Sequence, residues 1–302
     1  MRLNIILSCI CAFILMISGC IKDENNSPPT LAFLTEPGYT ASDTMVKTGA
    51  ILKLGIHTTA SAESITNFII TLQTKNGLET ALDSGLYKEN FNYTRSISFG
   101  ASDWEKWTFT VMDKNRNKTS ICIKLTKDPA SDFGPIISYS SIILGTQHNT
   151  TFGQFLVTST GSVITETVAA SIQNLVNIIT YYGELQIPET YYTLSSPNET
   201  DAPNYYPSLT SWTEPKNEMR YKADSLSVTE TMFNAATNDS LIISNYTSAT
   251  IGKRKFKNAR TGYVIPFQIA VGPEAGKRGL IHVKNCSGLP DGTIEIAIKM
   301  QQ

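Results

Sequence analysis

Residues Trp107 to Asp113 read W-T-F-T-V-M-D. Trp107, Phe109 and Val111 fall on one side of an extended chain, and Thr108, Thr110 and Met112 on the other. A side-chain period of two is what a half-buried strand requires, because successive Cβ atoms leave opposite faces of the pleat. The same period recurs in "AILKLGIH" (Leu52, Leu54, Ile56), in "ITNFIITLQT" (Ile65, Phe68, Ile70, Leu72) and in "SICIKLT" (Ile121, Ile123, Leu125). The polar cluster "DKNRNK" separates two of these runs as a turn would. About seven short strands in roughly a hundred residues predict a β-sandwich over 30–127. Cys122 falls on the face opposite Ile121 and Ile123, so it reads as an unpaired thiol without chemistry.

"KDPASDFGP" (Lys127 to Pro135) carries two prolines, a glycine and polar residues, which predicts a linker at 128–134. Beyond it, 135–302 predicts a β-rich α+β domain. "IISYSSIILG" opens it, and "TFGQFLVTSTGSVIT" reads as two strands around a turn. In "ETVAASIQNLVNII" the period changes. Val168, Ile172, Leu175 and Ile179 recur every three or four residues, which predicts one short helix capped by Thr165 or Thr167. "TGYVIPFQIAV" and "KRGLIHVKN" are then neighbouring strands, and "GTIEIAIKMQ" places Ile294, Ile296 and Ile298 on one face of a last strand. The expected fold class is therefore mainly β, with a sandwich followed by a β-rich α+β domain holding one short helix.

Arg2 precedes an apolar stretch, Ile5 to Ile17, broken only by Ser8. It falls short of the ~20 residues a spanning helix needs and has the form of a secretory signal. Ile17-Ser18-Gly19-Cys20 resembles the bacterial lipobox, whose cysteine thiol takes a diacylglycerol while the chain is cut just before it. That resemblance implies a signal peptide at 1–19 and a lipidated tether at 20–29. Lys22-Asp23-Glu24 resembles the export signal of Bacteroidetes surface lipoproteins, which implies the cell surface of the outer membrane. The hairpin "WTFTVMDKNRNKTSICIKLT" resembles the last two strands of the immunoglobulin-like modules of such lipoproteins, although the Cys…Trp…Cys pattern of antibody domains is missing. Tyr139-Ser140-Ser141-Ile142-Ile143-Leu144-Gly145, the middle helix, Trp212 and Gly276-Lys277-Arg278-Gly279-Leu280-Ile281 resemble a C-terminal module of the same group; this likeness implies no activity.

Lys and Arg number 25 against 26 Asp and Glu, and no Lys/Arg cluster stands out on this reading, which argues against nucleic acid as a partner. Of the 5 cysteines, Cys9 and Cys11 leave with the signal and Cys20 carries lipid, so Cys122 and Cys286 remain and a disulfide framework is absent. His57, His148 and His282 are isolated, and neither HExxH, CxxC nor GxSxG occurs. Carboxylate pairs for glycoside hydrolysis meet only in the fold, and no spacing singles one out. "GPEAGK" has three intervening residues where a phosphate loop has four, with Arg278 in place of the magnesium-holding Ser/Thr, and reads as a hairpin turn. No catalytic residue, metal or cofactor is expected.

Ten of the 13 tyrosines lie beyond residue 135, six of them in the pairs Tyr181-Tyr182, Tyr191-Tyr192 and Tyr205-Tyr206, with Trp212 close behind. Within a strand only one tyrosine of a pair faces a given core. Tyrosine and tryptophan join a flat apolar face to a polar handle, and sugar rings stack on such faces. Tyr182, Tyr192, Tyr206 and Trp212 are therefore the candidate ligand-binding residues, although tyrosine also half-buries well as a strand former. Asp43-Thr44-Met45, Asp224-Ser225-Leu226 and Asp239-Ser240-Leu241 resemble the Bacteroidetes O-glycosylation site, which implies modification at Thr44, Ser225 and Ser240. The expected function is non-catalytic binding of a polysaccharide or host glycan; the alternative is a structural or adhesive envelope protein contacting another protein. The partners expected are the outer membrane through the lipid on Cys20, a glycan and other envelope proteins, with no nucleic acid.

Overall fold

The computed structural model describes residues 27–185, 189–224, 226–247, 250 and 252–302. Cys20 and Ser225 lie outside the described residues. The protein is mainly β, as the alternating patterns predict.

Eight strands occupy 30–127: β1 (Thr30–Phe33), β2 (Thr44–Val46), β3 (Ile51–Thr59), β4 (Ile65–Thr74), β5 (Gly77–Lys88), β6 (Asn90–Ser98), β7 (Trp104–Asp113) and β8 (Lys118–Lys127). They form a three-stranded sheet, β1-β3-β6, and a five-stranded sheet, β2-β8-β7-β4-β5. Leu54 and Ile56 from the first sheet meet Phe68, Trp107, Phe109, Val111 and Ile123 from the second in one buried core. Trp107, Phe109 and Val111 are fully buried, so the period-two reading of β7 gives the correct inward face. Edge strand β2 pairs with β8 in parallel; the other pairings in this half are antiparallel.

Residues 128–134 form neither strand nor helix, and no strand pairing crosses them among the described residues. They are nevertheless tied down. Asp128 N donates to Val46 O at 2.8 Å, and Thr48 N donates to Ser131 Oγ at 2.7 Å.

Among the described residues ten strands follow: β9 (Ile136–Gly145), β10 (Phe155–Val157), β11 (Ser162–Ile164), β12 (Ile178–Leu185), β13 (Glu189–Ser195), β14 (Glu218–Tyr221), β15 (Lys255–Phe256), β16 (Val264–Val271), β17 (Arg278–Ser287) and β18 (Thr293–Gln301). They build two five-stranded sheets, β11-β10-β12-β13-β15 and β14-β16-β17-β18-β9. Leu156, Ile178, Leu194 and Phe256 of one sheet share a core with Met219, Phe267, Ile281 and Ile296 of the other. Both outer faces are also covered. Val228, Phe233 and Ile242 lie over Val264, Leu280 and Ala297. Ala169, Tyr206, Leu209 and Trp212 lie over Phe155, Ile179 and Tyr181.

The described residues hold three short helices where the sequence reading has one: α1 (Glu166–Ser171), α2 (Glu230–Ala235) and α3 (Ser240–Asn245). The predicted helix stops at Ser171, gives way to a 3-10 turn at Gln173–Leu175, and Ile179 belongs to β12. Val168 and Leu175, expected on the buried face, are 47% and 41% exposed, while Ala169 is buried. β-Branched Ile178 and Ile179 gain more from packing on both faces of a sheet than from extending a marginal helix. The "GPEAGK" segment is the hairpin turn expected, joining β16 to β17 with Gly272 and Gly276 at φ 127 and 101.

The two sandwiches meet at a buried arginine. Arg278 is fully buried and its Nη2 donates to Ser98 O at 2.7 Å across the contact. Its backbone N donates to Gln301 Oε1 at 3.0 Å, and Gln301 Nε2 donates to Asp239 Oδ2 at 2.9 Å and to Gly49 O at 3.4 Å. Burial pushes the Arg278 guanidinium down to about 10, opposed by the nearby Glu105 carboxylate. Glu105 is also buried, accepting from Gly100 N at 2.7 Å and from Trp107 Nε1 at 3.0 Å. At the β16–β17 turn, a Cβ on Gly276 would stand 2.6 Å from Ile51 Cγ2, so this turn is seated closely on the first sandwich.

Candidate functional site

The tyrosine pairs are sorted by the pleat of β12 and β13. In register, Tyr182 opposes Tyr192, Gly183 opposes Tyr191 and Tyr181 opposes Thr193. Alternation sends Tyr181 to the outer face, where its ring stacks on Tyr205 with centroids 3.9 Å apart and planes 12° from parallel. Gly183 leaves room there for Tyr205, since a Cβ on it would stand 3.2 Å from the Tyr205 hydroxyl. Tyr182 goes to the opposite face and meets Tyr192 edge-on at 5.0 Å.

The four candidate residues consequently do not form one surface. Tyr206 and Trp212 are buried, at 2% and 6% exposure, in the core under the β12 sheet. Tyr206 packs edge-on against Phe155 at 4.9 Å and its hydroxyl donates to Thr180 O at 2.5 Å, while burial pushes its ionisation far up. Trp212 tilts against Phe155 at 6.0 Å, and its Nε1 is buried without a hydrogen-bond partner among the described residues. Tyr206 and Trp212, expected among the ligand-binding aromatics, are core residues instead. The segment "APNYYPSLTSW" forms two 3-10 turns, Ala202–Asn204 and Pro207–Ser211, whose undersides must be apolar to cover the sheet. Trp212 also borders a separate shallow cavity of about 310 Å³ beside Gln173, Thr213 and Glu214.

Tyr182 and Tyr192 do share a site. With Tyr191, Asn258, Arg260 and Cys286 they line an open cleft of about 270 Å³. Tyr182 itself is 8% exposed, so the accessible aromatic surface comes from half-buried Tyr192, while Tyr191, opposite Gly183, turns its ring to the other face of the sheet. The cleft is held by polar contacts on both sides. Gln147 pairs with the Tyr182 backbone, its Oε1 accepting from Tyr182 N at 2.7 Å and its Nε2 donating to Tyr182 O at 2.9 Å. The Tyr192 hydroxyl accepts from Leu289 N at 2.9 Å, and burial raises its ionisation above the ordinary range. Asn258 sits at φ 61, a left-handed conformation asparagine tolerates, and its Oδ1 accepts from Arg260 Nε at 2.8 Å. Burial pushes the Cys286 thiol up to about 11, which leaves it a poor nucleophile at neutral pH.

Other sequence candidates are bound into the fold. Thr44 is half-buried in β2, and neighbouring Asp43 accepts from Lys124 N at 2.8 Å. Ser240 opens α3, while Asp239 before it is buried and accepts from Gly134 N at 2.7 Å. His57 binds Asn92 Oδ1 through Nδ1 at 2.6 Å, and buried His282 lies 3.9 Å from Glu230. Among the described residues no three His, Cys, Asp or Glu converge as a metal would require.

One feature went unread in the sequence. Lys253, Arg254, Lys255 and Lys257 place four cations within five residues, and with Arg220 they line a cleft of about 660 Å³. A near-neutral whole-chain balance conceals a local run of this kind, whereas a sliding window of charge would have found it.

No family model matches the chain, and no curated protein matches it. Among solved structures it is similar to the crystal structure of a DUF4466 family protein from Parabacteroides merdae. The likeness has 8% sequence identity and a TM-score of 0.38, over 91% of this chain and 99% of that one. A score of that size does not establish a common fold.

Proposed function

We propose that this chain is a surface lipoprotein, anchored through lipid on Cys20, whose second sandwich binds a glycan without catalysis at the Tyr182–Tyr192 cleft. The observation that carries the reading is the cleft's make-up. The half-buried Tyr192 ring, backed edge-on by Tyr182, adjoins Asn258 and Arg260 around about 270 Å³. Apolar faces with a few fixed polar groups are the usual form of a small-molecule site, and a shallow, open one suits one or two sugar rings of a longer chain. The first sandwich, whose last hairpin resembles an immunoglobulin-like module, then serves as a spacer above the membrane. Among the described residues no helix is long and apolar enough to cross a membrane.

The test is a glycan array followed by calorimetry, then Tyr192→Ala and Arg260→Ala. Each variant should weaken binding severalfold; Arg260→Ala should leave the melting curve unchanged because Arg260 is exposed, and circular dichroism checks that Tyr192→Ala, whose ring also packs on the core, keeps the fold. If a ligand is found and both variants bind it like the parent, the cleft is not its site. A second reading, contact with another envelope protein, is favoured by edge strand β5. It exposes Leu78 and Tyr87 at 66% and 70% beside unpaired backbone groups that could take an added strand.

A further inference from the structure

The segment from Gly252 to Phe256 joins the edges of the two sheets of the second sandwich. Lys253 forms a two-way backbone bridge with Tyr221 of β14, both hydrogen bonds at 2.8 Å. Two residues on, Lys255 and Phe256 pair with Ser195 and Leu194 of β13. Phe256 is buried in the shared core and pins the segment in place. A strand anchored at both edges holds its charged side chains on a rigid support, which lowers the ordering cost of any ligand they bind.

Buried Glu218 organises these charges. It accepts from Arg220 Nε on one oxygen, and on the other from Arg254 Nε at 2.9 Å and Asn198 Nδ2 at 2.7 Å. Contact through Nε fixes each guanidinium plane and leaves the Nη fork of Arg254 outside that bond. Such a fork is suited to a second oxyanion. Lys255 is paired with Glu199 and Asp201. Lys253 and Lys257 are exposed and make no ion pair among the described residues. Five cations thus stand against three carboxylates around a cleft of about 660 Å³. The surplus is local, because the chain as a whole carries a formal charge of −1.

We propose that this cleft binds a carboxylate or sulfate group of an anionic polysaccharide, with Arg254, Lys253 and Lys257 as its contacts and Glu218 as the residue that positions the arginines. The oxyanion assignment stands on the cleft alone. That its bearer is a glycan rests on the function proposed above, and the cleft deepens that reading by giving the glycan a charge. Arg260 of the tyrosine cleft follows the same segment, so one chain could run across both sites.

The experiment titrates the full chain with heparin as the sulfated probe, polygalacturonate as the carboxylated probe, dextran as the neutral one and oligothymidylate as a nucleic acid. At least one of the two anionic polysaccharides should bind, and the tighter of them names the group. Its affinity should fall about tenfold or more between about 50 and 200 mM salt. Lys253→Glu/Lys257→Glu should weaken it about tenfold, and Arg254→Lys should weaken it while preserving charge. Reversal of two exposed lysines in the first sandwich, Lys114→Glu/Lys118→Glu, should leave it unchanged. The proposal is overturned if neither polyanion binds, if both reversals act equally, or if oligothymidylate binds as tightly as the better polysaccharide. The two sites also fail separately. Neutral-glycan binding that is lost in Tyr192→Ala but kept in Lys253→Glu/Lys257→Glu, with no polyanion binding, removes this cleft alone. Polyanion binding that is lost in the reversal but kept in Tyr192→Ala removes the tyrosine cleft alone.

Discussion

Trp212 and Glu105 show how burial decides what a single side chain contributes. Trp212 covers Phe155 with nearly all of its surface removed from water, and replacement by alanine would leave a void the 3-10 turn cannot fill. Trp212→Ala should cost about 3–5 kcal/mol in a urea titration, and a loss below about 1 kcal/mol would place the ring outside the core. Glu105 bears on pH. Burial raises its ionisation above the ordinary carboxylate value, outweighing the Gly100 and Trp107 hydrogen bonds and the attraction of Arg278. A carboxyl with a raised folded-state value contributes stability that is fully present below its unfolded value and is lost as pH rises through the folded one. Parent stability relative to Glu105→Gln should therefore decline as pH climbs from about 4 toward 7. A difference that stays flat over this interval would show that Glu105 ionises in the fold as it does in the unfolded chain.

The strands were the most legible elements. Trp107, Phe109 and Val111, or Ile294, Ile296 and Ile298, commit to one face because a slip of one residue would turn all three to solvent. The helix was less legible. Val168, Ile172, Leu175 and Ile179 have helical spacing, yet that pattern is the accidental sum of one helical turn and the start of β12. α2 and α3 have six residues each, too few for a periodicity to register. Of the candidate residues, Tyr182 and Tyr192 fall on one face because strand alternation applies to both. Tyr206 and Trp212 are buried instead, because a tyrosine pair and a nearby tryptophan do not by themselves distinguish an exposed aromatic surface from turns whose underside seals a sheet. The β16–β17 pair carries its own test. Phe267 lies directly over Gly279 on the neighbouring strand, and a Cβ there would stand 2.4 Å from the ring and 2.8 Å from Lys299 O. Gly279→Ala should destabilise by about 1–3 kcal/mol through overpacking, measured as a shift of the urea midpoint at unchanged slope. Equal stability would mean that the ring moves aside freely.

At the scale of the molecule, the contact between the sandwiches is carried by residues no local pattern reveals, since Arg278 meets Ser98 from 180 positions away. A buried charge of this kind ties the halves together only while its partners stay in place. The parent should therefore unfold in one calorimetric transition, and Arg278→Ala should split it into two and open 128–134 to protease. If the parent already melts in two steps, the contact does not couple the halves. The order of strands in the last sheet has a consequence of another kind. Among the described residues β9 is an edge strand whose one hydrogen-bonded neighbour is β18, with Ile137 opposite Met300. Every residue of the second sandwich's other strands is synthesised between those two partners. Long-range pairing of this sort folds slowly, because the closure entropy is lost before any contact compensates it. The first sandwich has all its strands as soon as β8 has emerged, whereas β9 must wait as an unpaired edge until residues 293–301 have been made.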